Sequence, residues 1–516
     1  MRLHLKHWLK KYQNLLMGLV LFIFILSSAF KIYEWDIPKT WDIKGIEDSH
    51  LPPPDTSFRL TYAPESYYKS IPEHVIYKTY PVYAKGQEPP GYLDSLKTLE
   101  PEIVFDLNKI RSQEDWIKAG EHVFFWPASI SGPDSPFGSH LDSAYFASSG
   151  DPLTREGIYP FAKYVITEKG KVQYGDLSCA TCHTRVTEKG ELIIGAQGNH
   201  AFDAGFAYIV DKFKIPAQAL NPGTYGLLFT PWAPVYGDSI LNRSTVQFIE
   251  DLKARPNGVM SRQGAAFNLP LAVPSLIGIE DIKYLDNTGL MRHESPVDLM
   301  RYAALNQGMD MLISYNDFIP MDLKNSKELP SPNDWDHAFG YDAKRYTDAQ
   351  LYALTQYIYS LVPPVNHNKF PKDILQRGER IFNEQGCVTC HTPPLYTNNM
   401  ITPAKGFEPP PQHFNKYDIF NVSVETDPTT TMISRRGTGY YKIPSLRGLW
   451  YRGPFFHNGQ LATLEDIFDP GRLQDDYVPT GYRSARVTTQ AVAGHDFGMD
   501  LSDEDKQALI AFLKTL

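Results

Sequence analysis

Cys179-Ala180-Thr181-Cys182-His183 and Cys387-Val388-Thr389-Cys390-His391 use every cysteine in the chain, in two copies of one spacing, C-x-x-C-H. Two thiols at this spacing can add to the two vinyl groups of one haem, while the adjacent His reaches its iron. A zinc site would need both pairs to converge on one metal and would leave the repeated His without a role. The spacing therefore predicts two covalently bound haem c groups. Cys179, Cys182, Cys387 and Cys390 are the attachment points, and His183 and His391 are the proximal iron ligands.

Working outward, the sequence around each motif repeats. Trp116-Ile-Lys-Ala-Gly120-Glu121-His-Val-Phe124 resembles Leu375-Gln-Arg-Gly378-Glu379-Arg-Ile-Phe382, with a Gly where two helices can cross closely and an aromatic four residues on. Pro274-Ser-Leu-Ile-Gly278, running to Gly289, aligns without a gap on Pro444-Ser-Leu-Arg-Gly448, running to Gly459. Each half closes on one helix, Thr347 to Leu361 and Ser502 to Leu516. Thr347-x-x-Gln350 and Ser502-x-x-Asp505 are capping-box starts. Leu354, Tyr357, Ile358 and Leu361, and Leu509, Phe512, Leu513 and Leu516, form apolar stripes at helical spacing, which marks them as core. Val362-Pro363-Pro364 ends the first closing helix. The halves differ in one respect: Phe382 lies five residues before Cys387, whereas Phe124 lies 55 before Cys179. The first half thus carries an insertion of 50 residues, and extra covering of that kind suggests a shaped site.

The frame around this duplication is ordinary in composition. The chain has 516 residues, 42% hydrophobic and 21% charged, which excludes intrinsic disorder. A net charge of −9 without a long basic run argues against a nucleic-acid partner. Leu15 to Leu26 is an unbroken apolar run preceded by Arg2, Lys6, Lys10 and Lys11, with no acid before Glu34. By the positive-inside rule this keeps the N-terminus cytoplasmic and exports the rest, to the periplasmic side of the inner membrane. The run is short for a spanning helix, and Ser27-Ser28-Ala29 suits signal cleavage, so anchor and cleaved signal both stand. The expected organisation is an anchor or signal in 1–30, a Pro-rich extension in 31–112 that wraps the body irregularly, a first cytochrome c domain in 113–365 and a second in 366–516.

Gly437-Thr-Gly-Tyr-Tyr-Lys-Ile-Pro444-Ser-Leu-Arg-Gly-Leu-Trp450-Tyr-Arg-Gly-Pro-Phe-Phe-His457-Asn-Gly459, then Ala462-Thr-Leu-Glu-Asp466, is similar to bacterial di-haem cytochrome c peroxidases. Methylamine-utilisation di-haem enzymes and exported di-haem rubber oxygenases share the pattern. The resemblance covers residues 113 to 516. It is nearest to the rubber-oxygenase branch, through Tyr451-Arg-Gly-Pro454 and Gly494-His495-Asp-Phe-Gly498. It implies a mainly α fold of two haem domains with long irregular loops. It also implies one haem with two His ligands and one that binds dioxygen.

Three residues compete for the distal position of the second haem: His495, Met499 and His457. His495 fits the family segment. Asp336-His337-Ala-Phe339-Gly340 repeats its H-x-F-G, so His337 is the corresponding candidate in the first half, displaced by a three-residue insertion. If His337 ligates, both haems are six-coordinate and the protein is an electron carrier. If it does not, the first haem is open, with His293 and Glu294, and also Asp286, as candidate acid–base groups and Phe267 as a candidate distal wall. Arg435, Arg436, Arg447 and Arg452 are candidates for the haem propionates, Arg447 foremost. Trp450 is a candidate neighbour of the cofactors, placed to pass electrons between the haems. The expected activity is oxidation–reduction, peroxidase- or dioxygenase-like at the first haem, with a small redox protein as electron partner and peroxide or dioxygen as oxidant.

Overall fold

The two crossed helix pairs foreseen in the repeat organise the computed structural model, which describes residues 35–132, 141–216, 230–232, 243–261, 269–316 and 344–516. Helix α1 (Gln113–Phe124) packs on α2 (Asp348–Tyr359), and α3 (Lys372–Glu384) packs on α4 (Asp503–Leu513). Ser112, Thr347 and Ser502 cap α1, α2 and α4 through their side-chain oxygens, satisfying backbone N–H groups that a helix start leaves unpaired. A methyl group on Gly120 would stand 1.9 Å from the Ala353 carbonyl oxygen, and one on Gly378 would stand 2.1 Å from that of Ala508. Phe124 and Phe382 then meet Tyr357 and Phe512, at 5.2 and 5.5 Å between ring centroids. The duplication is thus built twice with the same contacts.

The 50-residue insertion departs from the mainly α expectation. It supplies Ser129–Ser131, Ile158–Glu168 and Lys171–Asp176 to a four-stranded antiparallel sheet, completed by Thr79–Tyr83 of the Pro-rich extension. Of the described residues 34% are helical and 15% extended, so the fold is mixed. The local reason is visible at Lys169-Gly170, where Gly170 takes a positive φ between two runs rich in aromatic and β-branched residues, a hairpin arrangement.

The extension is equally regular. Trp41 stacks on Tyr68 at 4.8 Å, and Leu60–Tyr62 pairs with Ile313–Tyr315. Both contacts feed the core that α1 and α2 enclose. Residues from Lys39 onward form one compact unit. Among the described residues no helix is long and apolar enough to cross a membrane. The apolar run at 15–26, read as anchor or signal, lies outside the described residues, as do His337 and Phe267.

Candidate cofactor sites

Each Cys–His turn is fastened locally before it meets anything else. In the first half, Ser178 caps the short helix Cys179–Cys182, and Thr181 Oγ1 donates to the Phe161 carbonyl at 2.8 Å, tying the turn to the sheet of the insertion. His183 Nδ1 lies 3.0 Å from the Pro274 carbonyl oxygen. In the second half, Cys387–Thr389 forms a 3-10 turn, and His391 Nδ1 lies 3.2 Å from the carbonyls of Tyr396 and Pro444. A ring nitrogen bonded to a carbonyl must carry the proton, so Nε2 keeps its lone pair for a metal. The same proline of the repeat, Pro274 or Pro444, thus orients the histidine of each turn. Burial pushes each imidazole down to about 4, which holds it neutral and ready to ligate.

The repeat extends to backbone conformation. Gly278 and Gly448 have φ of 72° and 76°, and the residues eight further on, Asp286 and Phe456, have φ of 69° and 64°. Side chains, by contrast, diverge. Lys442, Arg447 and Arg452 of the second half correspond to Ala272, Ile277 and Ile282 of the first.

A cavity of about 310 Å³ opens beside the second turn, lined by Cys387, Cys390, His391 and His495 and by apolar groups including Phe382, Leu449 and Phe468. His391 and His495 face one another with ring centroids 6.4 Å apart. A metal ion held by both rings, with metal–nitrogen bonds of about 2.0 Å, would need ring centroids roughly 6 Å apart. The cavity therefore fits a haem held between the two rings, and this favours His495 over Met499 and His457. His457 instead stacks on Tyr441 at 4.4 Å and bonds its hydroxyl through Nε2.

His495 is held by its backbone. Its N–H donates to the Val424 carbonyl at 2.8 Å, and its own carbonyl accepts from Arg472 at 2.8 Å. Arg472 is fully buried and also donates to the carbonyls of Ile467 and Val492. Gly494, at φ 84°, is required because a Cβ would strike the backbone of Val424 to Thr426. Sequence reasoning missed Arg472, since an isolated loop arginine carries no local signal of burial.

Arg452 and Lys442 also line the cavity and make no ion pair among the described residues. Arg452 donates to the Ser445 carbonyl, its Nε is buried without a partner, and burial lowers its pKa. Burial and the neighbouring Arg452 push Lys442 down to about 8, against the pull of Asp286. Two desolvated cations suit the carboxylates of a haem. Arg447 touches the same cavity but spends its guanidinium on Asp281 (2.9 Å) and the Gly278 carbonyl (3.0 Å). Arg435 and Arg436, also propionate candidates, are both buried and paired with Asp310.

The remaining candidates take up other positions. Trp450 packs with Ile193, Ala196 and Ile277, linking the second-half loop to the strands that follow the first Cys–His turn. His293 is buried with both ring nitrogens engaged, Nδ1 with the Ile282 carbonyl and Nε2 with the Tyr359 hydroxyl at 2.5 Å. Glu294 pairs with Arg292 at the surface. Asp286 accepts from the Tyr302 hydroxyl at 3.0 Å.

No family model matches the chain. It is 28% identical over 155 residues to the cytochrome-c peroxidase IdrP2 of Denitromonas iodatirespirans, covering 27% of this chain and 38% of that protein. It is 25% identical over 150 residues to the cytochrome c551 peroxidase of Nitrosomonas europaea, covering 29% and 35%. It is 32% identical over 76 residues to the methylamine utilization protein MauG of Methylorubrum extorquens, covering 15% and 18%. The matches thus span about two fifths of these relatives or less. Among solved structures, Kuenenia stuttgartiensis hydrazine synthase aligns at 16% identity and TM-score 0.27, over 57% of this chain and 87% of that one, too distant to bear on the fold. With two Cys–His turns oriented by one repeated proline, the chain is similar in sequence to di-haem cytochrome c peroxidases and to MauG alike, which supports a place in the di-haem peroxidase-like superfamily.

Proposed function

We propose that the protein is an exported oxidoreductase carrying two haem c groups, each joined by two thioethers, with distinct roles. The observation that carries this reading is the pair His391 and His495, facing each other across the cavity that Cys387 and Cys390 border. A haem held by both His391 and His495 would keep no position open for an oxidant, which would suit the second half to electron relay. The first half, tied to its own sheet, is then the side that meets a small oxidant. Haem, when bound, supplies the one-electron couple and the oxidant-binding iron. Pro274 and Pro444 orient the proximal rings, the apolar lining excludes water, and Arg452 and Lys442 neutralise propionates.

Peroxidase-like relatives favour peroxide as oxidant; the rubber-oxygenase resemblance makes dioxygen with an unsaturated apolar substrate the competing form. His293 and Glu294 remain the proposed acid–base groups, a small redox protein the proposed electron partner, and residues 1–30 the proposed membrane anchor or signal. Haem absorbance against protein mass after denaturation should give two covalently held haems per chain. The oxidised protein should show one low-spin and one high-spin signal in electron paramagnetic resonance, and after reduction only one haem should bind carbon monoxide. Two low-spin signals and no carbon monoxide binding would leave an electron carrier instead.

A further inference from the structure

Four aromatic side chains run in contact from the core around the first Cys–His turn to the surface. Tyr346 is buried in the core cluster against which the Cys179 side chain packs. Its ring lies 4.5 Å from that of His74. His74 Nδ1 accepts the indole N–H of Trp126 at 3.3 Å, and the Trp126 ring lies 6.0 Å from that of Tyr77. These centroid distances fall within the range of about 4.5–7 Å for aromatic pairs in contact. Tyr346, His74 and Trp126 are all buried, whereas Tyr77 is half-exposed and bridges to Ile103 beside exposed Val75.

The repeat shows that core packing does not demand this set. Counting from the matched aromatics Phe124 and Phe382, Trp126 corresponds to Glu384. Counting from the matched caps Thr347 and Ser502, Tyr346 corresponds to Leu501. The second half thus places no oxidisable side chain at either position. His74 and Tyr77 come from the extension, which has no counterpart in the second half.

We propose that Tyr346, Trp126 and Tyr77 form a route by which the first haem, once oxidised by peroxide, draws single electrons from the protein surface. The proposal rests on reading the first haem as the oxidant site. Trp126 gives up one electron through Tyr346, and its Nε1 proton moves to His74 Nδ1 along the existing hydrogen bond. Tyr77 then returns one electron to Trp126, His74 returns the proton, and the Tyr77 phenol proton leaves to water. The outcome is a tyrosyl radical at Tyr77, which takes an electron and a proton from an external one-electron donor that never enters the haem cavity. Two such cycles supply the two electrons and two protons that reduce one peroxide to two waters.

The test uses the haem-loaded protein, hydrogen peroxide and a nitrone spin trap, with the adduct located by peptide mass spectrometry. Wild type should carry the adduct at Tyr77. Trp126→Phe should lose that adduct while keeping two haems and the low-spin signal. Tyr77→Phe removes only a hydroxyl from a half-exposed ring, so it keeps the test sound if Trp126→Phe fails to fold. It should move the free-radical resonance from a tyrosyl to an indolyl line shape. An adduct at Tyr77 undiminished in Trp126→Phe, or a resonance unchanged in Tyr77→Phe, overturns the route. If peroxide leaves the high-spin haem spectrum unaltered, the reading of the first haem fails and the route falls with it. A peroxide-altered spectrum with no Tyr77 adduct in wild type overturns the route alone.

Discussion

His495 shows how much of a candidate ligand's position is set away from its ring. The buried Nδ1 of the imidazole has no hydrogen-bond partner, so the backbone around it and the flanking rings of Phe456 and Phe497 aim it at His391. Its φ of 52°, the N–H bond to Val424 and the carbonyl bond from Arg472 together over-determine that placement. His495→Ala should therefore convert the low-spin resonance to a high-spin one while leaving two covalent haems, and Met499→Ala should leave the resonance unchanged. The reverse pattern in the two spectra would assign the axial position to Met499. The family-like segment Gly494-His495-Asp-Phe-Gly498 made His495 legible as a candidate. What the sequence could not show is that His495 faces His391 at 6.4 Å, a geometry that joins residues about a hundred apart.

At the scale of elements, the crossed pairs α1–α2 and α3–α4 were readable because their signals are local: a capping side chain, a helical stripe and a glycine at the crossing. Gly378→Ala tests the crossing. The added methyl group gains about 1 kcal/mol of helix propensity, but at 2.1 Å from the Ala508 carbonyl it forces α3 and α4 apart. Overpacking of this kind costs about 1–3 kcal/mol, so the thermal midpoint of the haem-loaded protein should fall, as it should for Gly120→Ala. An unchanged midpoint in both variants would mean the crossing has room to spare. The sheet was harder to foresee. Its strand Thr79–Tyr83 comes from the extension and pairs with Ile158–Glu168 across some 80 residues of intervening chain, and Pro81 within that strand argues against a strand in a purely local reading.

For the molecule as a whole, a buried ion cluster joins the halves. Asp310 of the first half receives Arg435 and Arg436 of the second, Arg436 at 2.7 Å. Burial alone would raise the Asp310 carboxyl, but the two guanidinium groups outweigh it and hold it below the usual carboxylate range. Because that folded-state value is depressed, the cluster stabilises the protein above the unfolded carboxylate value of about 4, and acidification through the folded value removes the contribution. Asp310→Asn leaves two buried cations poorly compensated and should cost about 3–5 kcal/mol near neutral pH. Denaturant unfolding of both proteins should show this gap narrowing as pH falls below the ordinary carboxylate range. A gap independent of pH would mean that Asp310 acts through packing and not through charge.

The division between what sequence and tertiary structure determined follows from the range of each interaction. The two Cys–His turns, the internal duplication, the capped helices and the candidacy of His495 are written in the chain, since each depends on residues a few positions apart or on a repeated string. The mixed fold, the insertion as a sheet, and the burial of Arg435 and Arg436 on Asp310 were decided only by tertiary contacts. So were the pinning of His495 by Arg472 and the line of rings from Tyr346 to Tyr77. Burial and pairing of polar groups depend on partners a hundred or more residues away, and no local pattern of residue types encodes which of several arginines will find a carboxylate, a carbonyl or a cavity.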